Sequence, residues 1–266
     1  MFLSLVSGST GNCSIISDGK TVLLADCGLT AKRLEELLGF IGVSPLSVSA
    51  ILITHEHSDH IKGAGIVSKK YGLPVFATEE THLSMKKSGI PEENIKYILP
   101  DTDFEIGSIG VRAFSIPHDA ANPVGYSFFY GNNKLSVATD MGHMNDYIFE
   151  NIKGSTAVIL ESNHDIDMLK SGRYPEFLKR RILGNLGHLS NADAAKTALR
   201  LLESGTRHIM LGHVSADNNT PKIALSETAN MAVKNGLVPG KDFSLSVANR
   251  YMPTSFLASR KGGVPR

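Results

Sequence analysis

The chain has 266 residues, 42% of them hydrophobic and 20% charged, and a formal charge of +1; that balance excludes a disordered or fibrous protein. The near-neutral total removes any global electrostatic argument for a nucleic-acid partner, though not for a local basic groove. No apolar stretch approaches the roughly 18 residues of a membrane span, the opening MFLSLVSGS lacks a basic n-region, and Cys13 and Cys27 alone build no disulfide framework, so a cytoplasmic protein with buried thiols is expected.

Short β-rich runs open the chain at Phe2–Val6, Cys13–Ser17 and Thr21–Ala25, separated by the turn signals GSTGN and DGK. A helical pattern follows at Ala31–Leu38, with Thr30 as N-cap and Leu34, Leu37 and Leu38 on one face. The apolar run Ala50–Ile53 then ends in the polar cluster THEHSDH. A helix over Gly63–Tyr71, a strand at Pro74–Ala77 and a helix over Thr78–Lys87 come next, the last capped by Thr78. Strands are expected at Asp103–Ile106, Gly110–Ile116, Val124–Tyr130 and Leu135–Thr139, the final pair joined by the hairpin turn GNN. The rest alternates: helix Met144–Asn151, strand Ala157–Glu161, helices Pro175–Leu183 and Asn191–Glu203, strand His208–Leu211, helix Pro221–Lys234 and strand Phe243–Val247. Hairpins followed by strands alternating with helices occur twice. Two mixed sheets packed face to face with helices outside would bury both faces of such apolar strands, an α/β architecture of αββα type. The expected domain spans 1–250, with 251–266 as a flexible basic tail; the stretch from Arg250 holds Arg260, Lys261 and Arg266 and no acidic residue.

The chemistry concentrates in residues 54–60. Three imidazoles and two carboxylates within seven residues are costly as inert polar groups at the end of a buried strand, and His with Asp is a donor set that Zn, Mn and Fe accept. In an extended segment His55 and His57 point the same way, at i and i+2, and can reach one ion. The chain then turns towards a helix, where Asp59 and His60 can reach a second ion about 3.5–4 Å away. Two ions need more donors, and three other strand ends offer them: His118 in PHD, Asp140 in TDMG and His213 in LGHVS. His164, in ESNHD, emerges at a fourth strand end and is expected to meet a substrate phosphate. His143 fits either a helix start or support for the site, while His82 and His208 read as structural or surface residues.

HxHxDH followed by one His, one Asp and a final His at these spacings resembles the metallo-β-lactamase superfamily over residues 1–215 or more. That resemblance implies His55, His57 and His118 around a first divalent ion, and Asp59, His60 and His213 around a second. Asp140 would bridge the two ions, and Asp26 in LLADCG would orient ligand histidines. Two cations lower the pKa of a water between them and neutralise charge on the group attacked. β-Lactamases of this fold usually carry Cys where Asp140 stands, and glyoxalase II enzymes carry GHTPGH-like segments around the third His, where this chain has SIPHDAANP.

The opening GSTGNC, LLADCGL, PHDA and HLSNADAA are instead similar to the YycJ (WalJ) family, which implies 5′→3′ exonuclease action on DNA. No insertion between Asp140 and His213 is long enough for an added β-CASP domain. His188 in GHLS is similar to a histidine of RNase Z beside the scissile phosphate, so it is expected to protonate the leaving oxygen or steady phosphate oxygens. Asp59, Asp140 and His188 are thus the residues expected nearest the chemistry. A DNA substrate leads, a small cyclic phosphodiester is the alternative, and a metal-binding module without catalysis would be expected to lack some of the seven ligands.

Overall fold

The structure is a computed structural model and describes residues 1–256. The first sheet runs β1 (Phe2–Val6), β2 (Cys13–Ser17), β3 (Val22–Ala25), β4 (Ala50–Leu52), β5 (Val75–Ala77) and β6 (Ile95–Tyr97). The second is built from β7 (Asp103–Ile106), β8 (Ile109–Ser115), β9 (Val124–Tyr130), β10 (Asn133–Ala138), β11 (Ala157–Glu161), β12 (His208–Gly212) and β13 (Ser244–Val247). β14 (Thr254–Ser255) returns to the first sheet beside β1, so each sheet has seven strands, in the orders β14-β1-β2-β3-β4-β5-β6 and β13-β12-β11-β10-β9-β8-β7. Both sheets are mixed: antiparallel hairpins give way to parallel pairs β3–β4–β5–β6 and β10–β11–β12–β13. The αββα architecture read from the sequence is the one observed.

Helices α1 (Ala31–Phe40), α2 (Ser58–Ile61), α3 (Ala64–Tyr71) and α4 (Glu79–Ser84) belong to the first half. The second half carries α5 (Asp146–Ile152), α6 (Ile166–Ser171), α7 (Glu176–Leu183), α8 (Asn191–Glu203) and α9 (Pro221–Lys234). Side-chain alternation explains why the strands are apolar throughout. In β3, Leu23 and Ala25 face the second sheet, joining Val111, Tyr126 and Ile159, while Leu24 turns outward to Leu34, Leu37 and Leu38 of α1. In β11, Ile159 faces inward and Val158 and Leu160 meet Ile148, Ala198 and Leu201 on the helices outside. Each fully buried Leu or Ile contributes about 1.5–3 kcal/mol, which both faces of every central strand collect.

Some boundaries differ from the sequence expectation. The helix at Thr78–Lys87 stops at Ser84 and a 3₁₀ turn, Lys86–Ser88, follows. The helix expected from Met144 starts at Asp146, because the Asn145 side chain accepts from Ile148 N as its N-cap. The segments β6, α6 and β14 span three, six and two residues, too short to show a period. The tail expected from residue 251 is corrected over its first part: β14 pairs with β1 and Phe256 stacks on Phe2 at 4.6 Å, which buries both rings. Arg260, Lys261 and Arg266 lie outside the described residues.

Candidate metal centre

β4 delivers the HxHxDH segment to the rim between the sheets. Beyond Leu52 the chain bends at Thr54, with Ile53 N donating to Phe76 O in one sheet and Val124 N donating to Thr54 O from the other, and is extended at His57. α2 then starts at Ser58 and presents Asp59 and His60. Backbone hydrogen bonds fasten this turn to the ends of the neighbouring strands: Asn12 N to Asp59 O at 2.7 Å and Cys27 N to His60 O at 2.8 Å. The approach is so close that a Cβ on Gly28 would lie 1.7 Å from Asp59 O, so no other residue fits there.

Three further strand ends converge on the same place by one backbone device. Asp26, Asp140 and His213 follow β3, β10 and β12, and all three adopt left-handed backbone, φ 64°, 59° and 51°. For residues with a Cβ this costs about 1–2 kcal/mol apiece. It turns each chain sharply where the strand stops and keeps the side chain over the strand ends. Strain held at three site positions at once is the pattern of a functional centre.

The expected ligands come together in groups whose donor atoms lie within 4.8 Å of one another: His55, His57 and His118; Asp59, His60 and His213; and Asp140 with His55 and His60. His57 Nδ1 lies 3.3 Å from His118 Nε2, and His60 Nε2 lies 3.3 Å from Asp140 Oδ2 and 3.6 Å from Asp59 Oδ2. Four of the imidazoles are held by one nitrogen. His60 Nδ1 sits 2.8 Å from Asp26 Oδ2, His55 Nδ1 3.0 Å from Thr54 Oγ1, His118 Nδ1 3.0 Å from Gly187 O and His213 Nδ1 3.2 Å from Glu161 Oε1. The other nitrogens turn to the centre, where His55 Nε2, His213 Nε2 and Asp140 Oδ2 are buried without a hydrogen-bond partner. Buried polar atoms left unpartnered beside one another, on rings anchored from behind, are what divalent ions require of a protein. The donor set fits two ions.

A family model described as the β-lactamase superfamily domain matches residues 21–214. The chain is 41% identical over 256 residues to an exodeoxyribonuclease YycJ of Bacillus anthracis, covering 95% of this chain and 97% of that protein. The chain belongs to the YycJ/WalJ family of the metallo-β-lactamase superfamily. An exodeoxyribonuclease WalJ of Streptococcus pneumoniae is 38% identical over 245 residues, 91% of each chain. Among solved structures, the metallo-β-lactamase fold protein YhfI of Bacillus subtilis superimposes with a TM-score of 0.70 at 17% identity, over 96% of this chain and all of that one, a likeness of fold. Members of the superfamily of this kind are metal-dependent hydrolases, and so is this YycJ/WalJ family chain.

Electrostatics in this family member favour cations. Burial disfavours a charged His60, yet Asp26 and Asp140 outweigh it and push the imidazole up to about 9. His213 is likewise raised against burial, first by Asp140 and then by Asp59 and Glu161. Protons are held where divalent ions would sit. His55 is pushed down by burial and by the neighbouring imidazoles, and presents a neutral ring suited to ligation.

Two participants escape a reading of the sequence. Glu161, at the end of β11, is fully buried: Oε1 takes His188 Nδ1 at 2.8 Å and His213 Nδ1, while Oε2 accepts from Met141 N at 2.7 Å and Leu189 N at 3.2 Å. Although Glu161 groups with Asp140, His188 and His213 as a possible ion site, both its oxygens are occupied by N–H donors. A carboxylate closing an apolar strand was the available signal. Asn12 lies in GSTGNC; its Oδ1 accepts from Gly8 N, and its Nδ2 reaches Asp59 Oδ2 at 3.2 Å. Asp26, besides His60, accepts from Thr54 N and Thr54 Oγ1 and so fixes the start of the ligand segment.

The remaining histidines divide. His188 stands between the halves of the centre, its ring 5.1 Å from those of His118 and His213, with its side chain 14% exposed. His164 departs from the expected contact with substrate phosphate: it is 1% exposed and neither ring nitrogen has a partner. The reason is the loop after β11, which turns inward as Asn163 N donates to Leu189 O and Asn191 N to His164 O. His143 is exposed and its Nδ1 meets Asn185 O at 3.1 Å.

Proposed function

We propose that the chain is a 5′→3′ exodeoxyribonuclease working with two divalent ions, Zn²⁺ or Mn²⁺ by the chemistry of its mixed His and Asp donors. His55, His57 and His118 would hold one ion, Asp59, His60 and His213 the other, with Asp140 shared. When bound, the pair supplies Lewis acidity, lowering the pKa of a water and offsetting charge on the phosphate under attack. The observation that carries the reading is His188. Its Nδ1–H is held by the Glu161 carboxylate, so His188 in its imidazolium form would carry a second proton on Nε2, the one it would give to the oxygen that departs from phosphorus. A proton donor set between two groups of ion ligands suits a phosphodiester with a poor alkoxide leaving group. The exodeoxyribonuclease names of the two curated relatives point to DNA as the source of that diester.

Two measurements test this. Elemental analysis after saturation with Mn²⁺ or Zn²⁺ should give a metal-to-chain ratio near two, and a ratio that never passes one would end the dinuclear assignment. End-labelled linear duplex, a covalently closed circle and a cyclic phosphodiester, compared at equal concentration, should show the linear strand shortened from its 5′ end and the circle intact. Rapid turnover of the cyclic compound with intact linear DNA would replace DNA by a small molecule.

A further inference from the structure

Against the His213 side of the centre lies a cavity of about 410 Å³, walled by the loop after β1, the loop after β12, the start of α9 and the turn after β13. This volume is in the range of small-ligand sites. Ser7 joins it to the metal ligands: its hydroxyl accepts from His213 N at 2.8 Å and donates to Asn12 Oδ1 at 3.2 Å. Among the described residues of the wall there is no Asp or Glu, and Arg250 is the single charged one.

Arg250 is positioned rather than loose. Its Nη2 donates to Val214 O at 2.8 Å, directly after His213 in the chain. The turn that carries it is held by Asn249, whose Oδ1 accepts from Tyr251 N at 2.8 Å and whose N donates to Thr254 Oγ1 at 2.9 Å; Arg33 Nη2 donates to Tyr251 O from α1 at 2.7 Å. No carboxylate among the described residues forms an ion pair with Arg250, so most of its five N–H donors and its whole charge are available. Beside it Tyr251 stands 64% exposed in the same wall.

An unneutralised guanidinium fixed by one backbone bond, in a wall free of anions, selects an anion that its planar fork can grip. A terminal phosphate monoester carries nearly two negative charges, against one on an internal diester, and gains correspondingly more. An exposed tyrosine face adjoining it stacks on a base without regard to sequence. We propose that this cavity receives the 5′-terminal nucleotide of a DNA strand, Arg250 binding its phosphate and Tyr251 its base. The inference rests on the exodeoxyribonuclease reading, and it supplies what that reading lacks, a reason for starting at an end. Arg250 is bonded to the residue that follows His213, so a strand held there by its terminal phosphate would run on towards the ion ligands.

The test is fluorescence anisotropy of the full, metal-free chain with 3′-labelled single strands that differ only in bearing a 5′-phosphate or a 5′-hydroxyl, beside an internally labelled strand with a 3′-phosphate. The 5′-phosphorylated strand should bind about tenfold tighter than the other two, the worth of one good charge-assisted pair. In Arg250→Gln the three affinities should converge, Arg250→Lys should recover part of the difference, and Tyr251→Ala should weaken all three alike. Thermal melting of each variant verifies the fold. Equal affinity of the unaltered protein for all three strands, a preference that survives Arg250→Gln, or a preference for the 3′-phosphate would each overturn the assignment. Degradation from 5′ ends without any phosphate preference would remove this cavity and leave the exodeoxyribonuclease reading intact; phosphate preference without degradation would do the reverse.

Discussion

Replacing Glu161 is the most informative perturbation of the site, because one buried carboxylate serves four donors. In Glu161→Ala the amides of Met141 and Leu189 and the Nδ1 groups of His188 and His213 lose their acceptor together. An unsatisfied buried donor costs about 1–3 kcal/mol, so a loss of about 4 kcal/mol or more is expected, a large part of the 5–15 kcal/mol that holds an ordinary domain. Glu161→Gln is the sharper variant. Its oxygen can keep the two amides, but its NH₂ then faces His213 Nδ1 and favours that nitrogen as an acceptor with the proton on Nε2, against the Asp140 Oδ1 that lies 3.1 Å from Nδ1. Nε2 is the nitrogen turned to Asp59, 3.5 Å away, and with that proton it can no longer take an ion. We expect Glu161→Gln to lose about 1–2 kcal/mol of stability and about 10- to 100-fold in metal affinity. Urea unfolding at pH 7 and competitive metal titration with a chelator measure the two quantities on one preparation. Unaltered affinity for both ions in a folded Glu161→Gln protein would refute the tautomer argument.

Gly28→Ala should destabilise the chain by about 3 kcal/mol or more, since its Cβ would meet the backbone oxygen of Asp59 at 1.7 Å and neither strand end can retreat; a thermal melting point within a degree or two of the parent would contradict this. His188→Ala should slow hydrolysis of an unactivated diester by about 10²- to 10⁴-fold at unchanged metal content, with a much smaller loss on a nitrophenyl ester, whose leaving group needs no proton. Equal losses on both would assign His188 to holding the phosphate instead. Burial holds His164 down at about 4, below the ordinary imidazole value near 6.5, so the unfolded chain binds the extra proton between those two values. Its stabilising effect is complete above pH 6.5 and drains as the pH falls to 4, by up to about 1.4 kcal/mol per pH unit and about 3 kcal/mol in all. His164→Leu should therefore flatten the fall in urea midpoint between pH 7 and pH 5, and identical slopes in the two proteins would show that another group titrates.

The sequence by itself determined the αββα class and pointed to most of the candidate metal donors, because both are local signals. Strand and helix periods are written within a few residues of themselves, and His55, His57, Asp59 and His60 share one loop whose composition has no economical structural explanation. His118, Asp140 and His213 were legible at one remove, each as a polar residue stopping an apolar strand. What only the tertiary structure decided depends on contacts between segments far apart in the chain. Glu161 ends β11 and His164 comes three residues later, and nothing local distinguishes them; the fold sends the carboxylate under His188 and His213 and packs the imidazole where no donor or acceptor reaches it. Gly28 matters because Asp59 lies against it, 31 positions later. Arg250 looked like the first charge of a basic tail, since a sequence of that composition carries no period. The pairing of Thr254–Ser255 with β1 and the bond to Val214 O instead turn it into the wall of a cavity beside the candidate metal ligands. Such placements follow from how the two sheets close on one another, a constraint on the whole chain that no short window of it expresses.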